Sequence, residues 1–237
     1  MADSHFQSSN LEISKHSAYL CPAILSKDEK DYQYKIDLIR GLVNSIQIDI
    51  MDGKFVPNQT LDPKLYDKKT FDYFEEVRFH LMVFDWLTVY NGFDVSGKKY
   101  VFEIHYEAFS NKKELIKTFE LLKSKNLRLS LAINPVTSNE VISQYIDYLD
   151  SVLVMFVNPG FSGQKFLESN IEKVKKIHKE YPYLNIAVDG GISYSNIPML
   201  YHAGARIFCA ASYIFNSQNP KSEIFKINDL LKELSKN

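Results

Sequence analysis

The feature that most constrains this chain is an alternation of two unlike kinds of segment. Short apolar runs rich in β-branched and aromatic residues recur every 20–30 residues, with charged, helix-like stretches between them. Eight runs read as strands: 18–25, 45–49, 77–83, 100–105, 128–133, 151–157, 185–189 and 206–211. The intervening pattern predicts helices over 28–41, 63–75, 111–125, 138–147, 167–181, 194–203 and 220–235, with a short one over 85–92. Strands joined by helix-length crossovers pair in parallel. The runs are nearly continuously apolar, as expected of strands covered on both faces. No Pro-, Gly- or Ser-rich linker divides the chain, and its 237 residues approach the ~250 that eight β/α units need. The expected fold class is α/β, a single TIM (β/α)8 barrel over 18–237, with a polar N-terminal extension over 1–17.

In such a barrel the chemistry sits where strands end, on the βα loops, so strand ends become candidate site residues. The second strand runs into Asp49 and the seventh into Asp189. Two carboxylates facing one pocket can carry a proton from one face of a carbon to the other. The third strand ends with His80. Asp49, His80 and Asp189 offer oxygen and imidazole ligands of the kind that hold Zn²⁺, Mn²⁺ or Fe²⁺. The amide oxygen of Gln47, two residues before Asp49 and on the same strand face, could add a weaker fourth. The fourth strand ends in His105 and Glu107.

Glycine-bearing loops form a second group: Gly160, Phe161, Ser162 and Gly163 after the sixth strand, Gly190 and Gly191 after the seventh, and Ala211 and Ser212 after the eighth. Such loops place backbone N–H groups around a phosphate. Each feature also has a plainer reading. Asp-Gly pairs mark turns, a strand-end histidine is often only hydrogen-bonded, and glycines permit tight loops.

Composition narrows the partners. Lys plus Arg (28) nearly balances Asp plus Glu (29), a net charge of −1, which gives no electrostatic footprint for nucleic acid. No apolar run approaches the ~18 residues of a membrane span, and the N-terminus lacks the pattern of a secretory signal. Cys21 and Cys209 read as small buried hydrophobes rather than a disulfide. A cytoplasmic protein is the expectation.

Taken together, Pro22-Ala-Ile-Leu-Ser26, Ile48-Asp-Ile-Met-Asp-Gly-Lys-Phe-Val-Pro-Asn58, His80-Leu-Met-Val83, His105-Tyr-Glu-Ala108, Leu153 to Gln164, Val188-Asp-Gly-Gly-Ile192 and Ala203-Gly-Ala205 resemble the ribulose-phosphate 3-epimerase family, in family order over residues 18–216. The resemblance implies interconversion of ribulose 5-phosphate and xylulose 5-phosphate through an enediolate, with Asp49 and Asp189 as the acid/base pair. It implies a divalent metal (Zn, Fe, Mn or Co) on Asp49, His80 and Asp189, a pocket lined by Met51, Met82 and Met155, and a homo-oligomer. Three positions depart from the family pattern. Gln47 stands in place of a histidine ligand, which implies weaker metal binding, Ala23 in place of a serine, and Ala211 in place of a glycine. An epimerase of another ketose phosphate, such as allulose 6-phosphate, or a non-catalytic sugar-phosphate binder are the alternatives. Asp62-Pro-Lys-Leu-Tyr-Asp67 matches a pattern of related barrel decarboxylases, but it lies after the second strand rather than at the end of the third and reads as chance.

Overall fold

The computed structural model of the protein describes residues 17–161 and 163–236. Apart from Ser17, the expected N-terminal extension lies outside the described residues, as does Ser162. Eight strands, β1 (Tyr19–Ile24), β2 (Ser45–Met51), β3 (Glu76–Met82), β4 (Tyr100–His105), β5 (Arg128–Ile133), β6 (Ser151–Met155), β7 (Asn185–Asp189) and β8 (Ile207–Ala210), pair in parallel in sequence order. The β1–β8 ladder, with Cys21 opposite Cys209, closes the barrel. Both cysteines are free and buried.

The regular crossovers are α1 (Glu29–Ile39), α2 (Trp86–Phe93), α3 (Lys112–Ser124), α4 (Ile171–Glu180) and α5 (Ile197–Ala203). The four-residue α6 (Ser212–Phe215) and the long α7 (Pro220–Leu234) follow β8. Each begins or buries as its sequence dictates. Asp28 caps α1 through the Asp31 N–H, Asn111 caps α3 through Glu114, and α4 turns Ile171, Val174 and Ile177 inward at helical spacing. No helix among the described residues is long and apolar enough to cross a membrane.

Two expected helices do not form. The 63–75 segment is a pair of 3-10 turns, Pro63–Leu65 and Lys68–Tyr73, and the 138–147 segment becomes Asn139–Gln144 and Ile146–Tyr148. In the first, Asp62 accepts from the Lys64 N–H and Asp67 from the Lys69 N–H, so two caps five residues apart each start a separate turn. Short side chains that bond to nearby backbone compete with a continuous α-helix in this way. The decarboxylase-like match is therefore a pair of turn caps.

The strands of the first half also differ from near-continuous apolar runs. On β2, Ile46, Ile48 and Ile50 join the core under the helices, while Ser45, Gln47, Asp49 and Met51 alternate with them toward the barrel interior. On β3 the interior set is Glu76, Arg78, His80 and Met82. β1, β5, β7 and β8 turn small apolar groups inward, among them Cys21, Ala23, Ala132, Ala187 and Cys209.

The polar interior splits into two levels. At the floor, Arg78 lies 3.1 Å from Glu76 and 2.7 Å from Glu103 and donates to the Ser151 hydroxyl. Arg128, Tyr19 and Ser45 also donate to Glu76. Burial alone would raise the Glu76 carboxyl, but Arg78 and Arg128 outweigh it and hold the pKa at about 2. Glu103, whose second oxygen has no hydrogen-bond partner, is instead pushed up by burial. The second level is the mouth.

Candidate active site

Register brings the strand-end residues together. Asp49 lies directly opposite His80 across the β2–β3 ladder, and Asp189 lies between Met155 and Cys209. One ligand atom from each of Asp49, His80 and Asp189 falls within 4.8 Å of the other two. His80 Nδ1 is 3.1 Å from Asp49 Oδ1 and 3.4 Å from Asp189 Oδ2. Burial by itself would lower the His80 pKa, yet its hydrogen bonds to Asp189 and Asp49 raise it to about 10. Burial, reinforced by the Asp189 charge, pushes the Asp49 carboxyl above the usual carboxylate range.

Gln47 lies beneath this group, completely buried. Its amide nitrogen donates to both carboxylates, to Asp49 Oδ1 at 2.9 Å and Asp189 Oδ2 at 2.7 Å. Its amide oxygen is buried without a partner. Turning the amide over would exchange the two and present the oxygen between the carboxylates, where only a cation would relieve the repulsion. Two carboxylates, an imidazole nitrogen and an amide oxygen form a donor set that fits a divalent metal.

Above the carboxylates a cleft of about 490 Å³, part of it open to solvent, opens at the mouth. Its walls bring together Met51, Met82 and Met155 with Gly160, Phe161, Gly163, Gly190, Gly191, Ala211 and Ser212. The backbone demands glycine at Gly190. Its φ is +105°, and a Cβ there would lie 2.6 Å from the Val157 side chain and 2.8 Å from its backbone nitrogen. Asp52, the other Asp-Gly aspartate, is a turn cap. Its carboxylate accepts from the backbone of Lys54, Phe55 and Phe84. The loop it organises is tied across the mouth, because Asn58 donates to the Gly160 carbonyl at 2.8 Å.

A third layer carried no role at the sequence level. His80 Nε2 is 2.9 Å from His105 Nε2, and His105 Nδ1 is 3.2 Å from Glu107 Oε2. The other Glu107 oxygen accepts from the Asn134 N–H at 2.8 Å and from the Thr137 hydroxyl. The sequence signals were a histidine and a glutamate at i, i+2 on the strand next to that of His80, and their place in the matched string His105-Tyr-Glu-Ala108.

This arrangement meets the relatives of the chain. Residues 19–215 match the model of the ribulose-phosphate 3-epimerase family. The ribulose-phosphate 3-epimerase of Eremothecium gossypii is 34% identical over 231 residues, covering 90% of this chain and 93% of its own. That of Bacillus subtilis is 34% identical over 216 residues, covering 88% and 97%. Among solved structures, 3-hexulose-6-phosphate synthase from Salmonella typhimurium shares the fold with a TM-score of 0.67 at 15% identity, covering 91% of this chain and 99% of its own. With its matched strand ends gathered at one mouth, the chain belongs to the ribulose-phosphate 3-epimerase family, whose members are isomerases acting on carbohydrates.

Proposed function

We propose that the protein interconverts ribulose 5-phosphate and xylulose 5-phosphate by inverting C3. The observation that carries this reading is the convergence of Asp49 and Asp189 from separate strands on one buried amide nitrogen. A proton on C3, next to the C2 carbonyl, leaves only if a base meets it on one face and charge on the oxygen is stabilised. One aspartate takes that proton, and the other returns one to the opposite face. The pair exchanges roles in the reverse direction. Asp49, raised by burial and by Asp189, is suited to hold the proton that is delivered.

Asp49, His80 and Asp189 would hold a divalent metal, with Gln47 turning its amide oxygen toward it. When bound, the cation stabilises the negative charge that develops on the substrate oxygen. Met51, Met82 and Met155 keep water from the reacting carbon. Gly160, Phe161, Ser162, Gly163, Gly190, Gly191, Ala211 and Ser212 receive the phosphate, chiefly through backbone N–H groups. Ala211 keeps its N–H despite the added methyl.

The test is exchange of the C3 proton of ribulose 5-phosphate in D₂O, with Zn²⁺, Mn²⁺, Fe²⁺ or Co²⁺ added singly. Deuterium should enter at C3, and Asp49→Asn and Asp189→Asn should each slow its entry by roughly 10²–10⁴-fold. No incorporation with any of the metals would sink the catalytic reading.

A further inference from the structure

The residues around the cluster carry one assignment beyond the acid/base pair and the ligand set. His80 presents Nδ1 to Asp49 and Asp189 and turns Nε2 toward His105 Nε2 at 2.9 Å. Two ring nitrogens at that distance form a hydrogen bond only if one carries a proton and the other a lone pair. Glu107 decides which. Its Oε1 already accepts from Asn134 and Thr137, and its Oε2 faces His105 Nδ1 at 3.2 Å. A carboxylate in that position accepts and does not donate, so the His105 proton sits on Nδ1. His105 Nε2 is then the acceptor, and His80 Nε2–H is the donor. The proton that His80 gives up to make room for a metal is therefore the one on Nδ1, the nitrogen that faces the two carboxylates.

We propose that Glu107 and His105 are positioning residues that fix the tautomer of His80, so that its Nδ1 lone pair is presented as a metal ligand. The proposal rests on the metal reading above and extends it to residues outside the donor set. With the opposite His105 tautomer, His80 would have to accept on Nε2 and keep its proton on Nδ1; a His80 that leaves Nδ1 free for a metal would instead bring two N–H groups together at 2.9 Å. Both histidines are buried, so no water replaces the missing acceptor. Partners of this kind that orient a ligating histidine typically change metal affinity about 10–100-fold when removed.

The experiment measures Zn²⁺ dissociation constants by competition with a chromogenic chelator, and ring ¹⁵N shifts of the histidines in the zinc-loaded protein. Glu107→Leu should weaken zinc binding about 10–100-fold. Glu107→Gln, which keeps the shape but has a single oxygen for both the Asn134 N–H and His105 Nδ1–H, should also weaken it, and unchanged binding in both variants would overturn the proposal. His105 should show a protonated Nδ1 and an unprotonated Nε2. Lys173→Met serves as the packing control, because Lys173 holds the same loop through the carbonyls of Asn134, Pro135 and Thr137 without touching His105. It should leave zinc affinity unchanged. A weakening equal to that of Glu107→Leu would overturn the proposal in favour of loop packing. Normal zinc binding with His105 protonated on Nε2 overturns the relay alone. A wild type that binds none of Zn²⁺, Mn²⁺, Fe²⁺ or Co²⁺ overturns the metal reading beneath it.

Discussion

Gln47 does with one side chain what two groups would otherwise share. As a donor it holds the two carboxylates together; with its amide reversed it would offer a neutral oxygen to the proposed metal. An imidazole in its place would present a lone pair by losing a proton, with no reversal of the side chain. Gln47→His should therefore raise zinc affinity about tenfold or more, measured by chelator competition, and an unchanged constant would show that position 47 lies outside the ligand set. Asp49, His80 and Asp189 were legible in the sequence because a barrel converts strand ends into a shared mouth. The donating role of Gln47 was not, since an amide can donate or accept and only its neighbours decide. The His105 contact was hidden for a different reason. His80 pairs across the ladder with Glu103, not His105, and that register is written nowhere in the residues themselves.

The strands were the most readable elements, since all eight lie where apolar runs stand between charged segments. Two crossovers misled, because capping side chains such as Asp62 and Asp67 divide a segment into turns that a helical pattern cannot reveal. The loops at the mouth are built by similar local bonds. Asp52 gathers three backbone N–H groups, and Asn58 fastens that loop to the one after β6. Gly190 is where an element and a loop touch most closely. Gly190→Ala drives a methyl into Val157 at a positive φ and should cost about 1–3 kcal/mol, read as a lower denaturant midpoint with unchanged slope. An unaltered midpoint would mean that β7 and the loop after β6 part more easily than their contact distances indicate.

For the molecule as a whole, the ionic floor matters most. Glu76→Gln removes one partner of a buried arginine and should cost about 3 kcal/mol, a fall in melting temperature of roughly 6–12 °C. The pH dependence has a definite sign. The Glu76 carboxyl ordinarily titrates at 4.5 and is held at about 2 in the folded chain. Its contribution is thus complete above pH 4.5 and is lost as pH falls toward 2. The stability gap between wild type and Glu76→Gln should narrow across that window. A gap that stays constant would locate the cost in packing rather than in charge. The same floor has a further consequence. Arg78, Glu103, Ser45 and Ser151 are buried and fill the barrel below the carboxylates, so among the described residues the floor is closed. Whatever enters at the mouth must leave by it, substrate and product exclude each other, and each turnover becomes a one-in, one-out exchange in which departure must come before the next arrival.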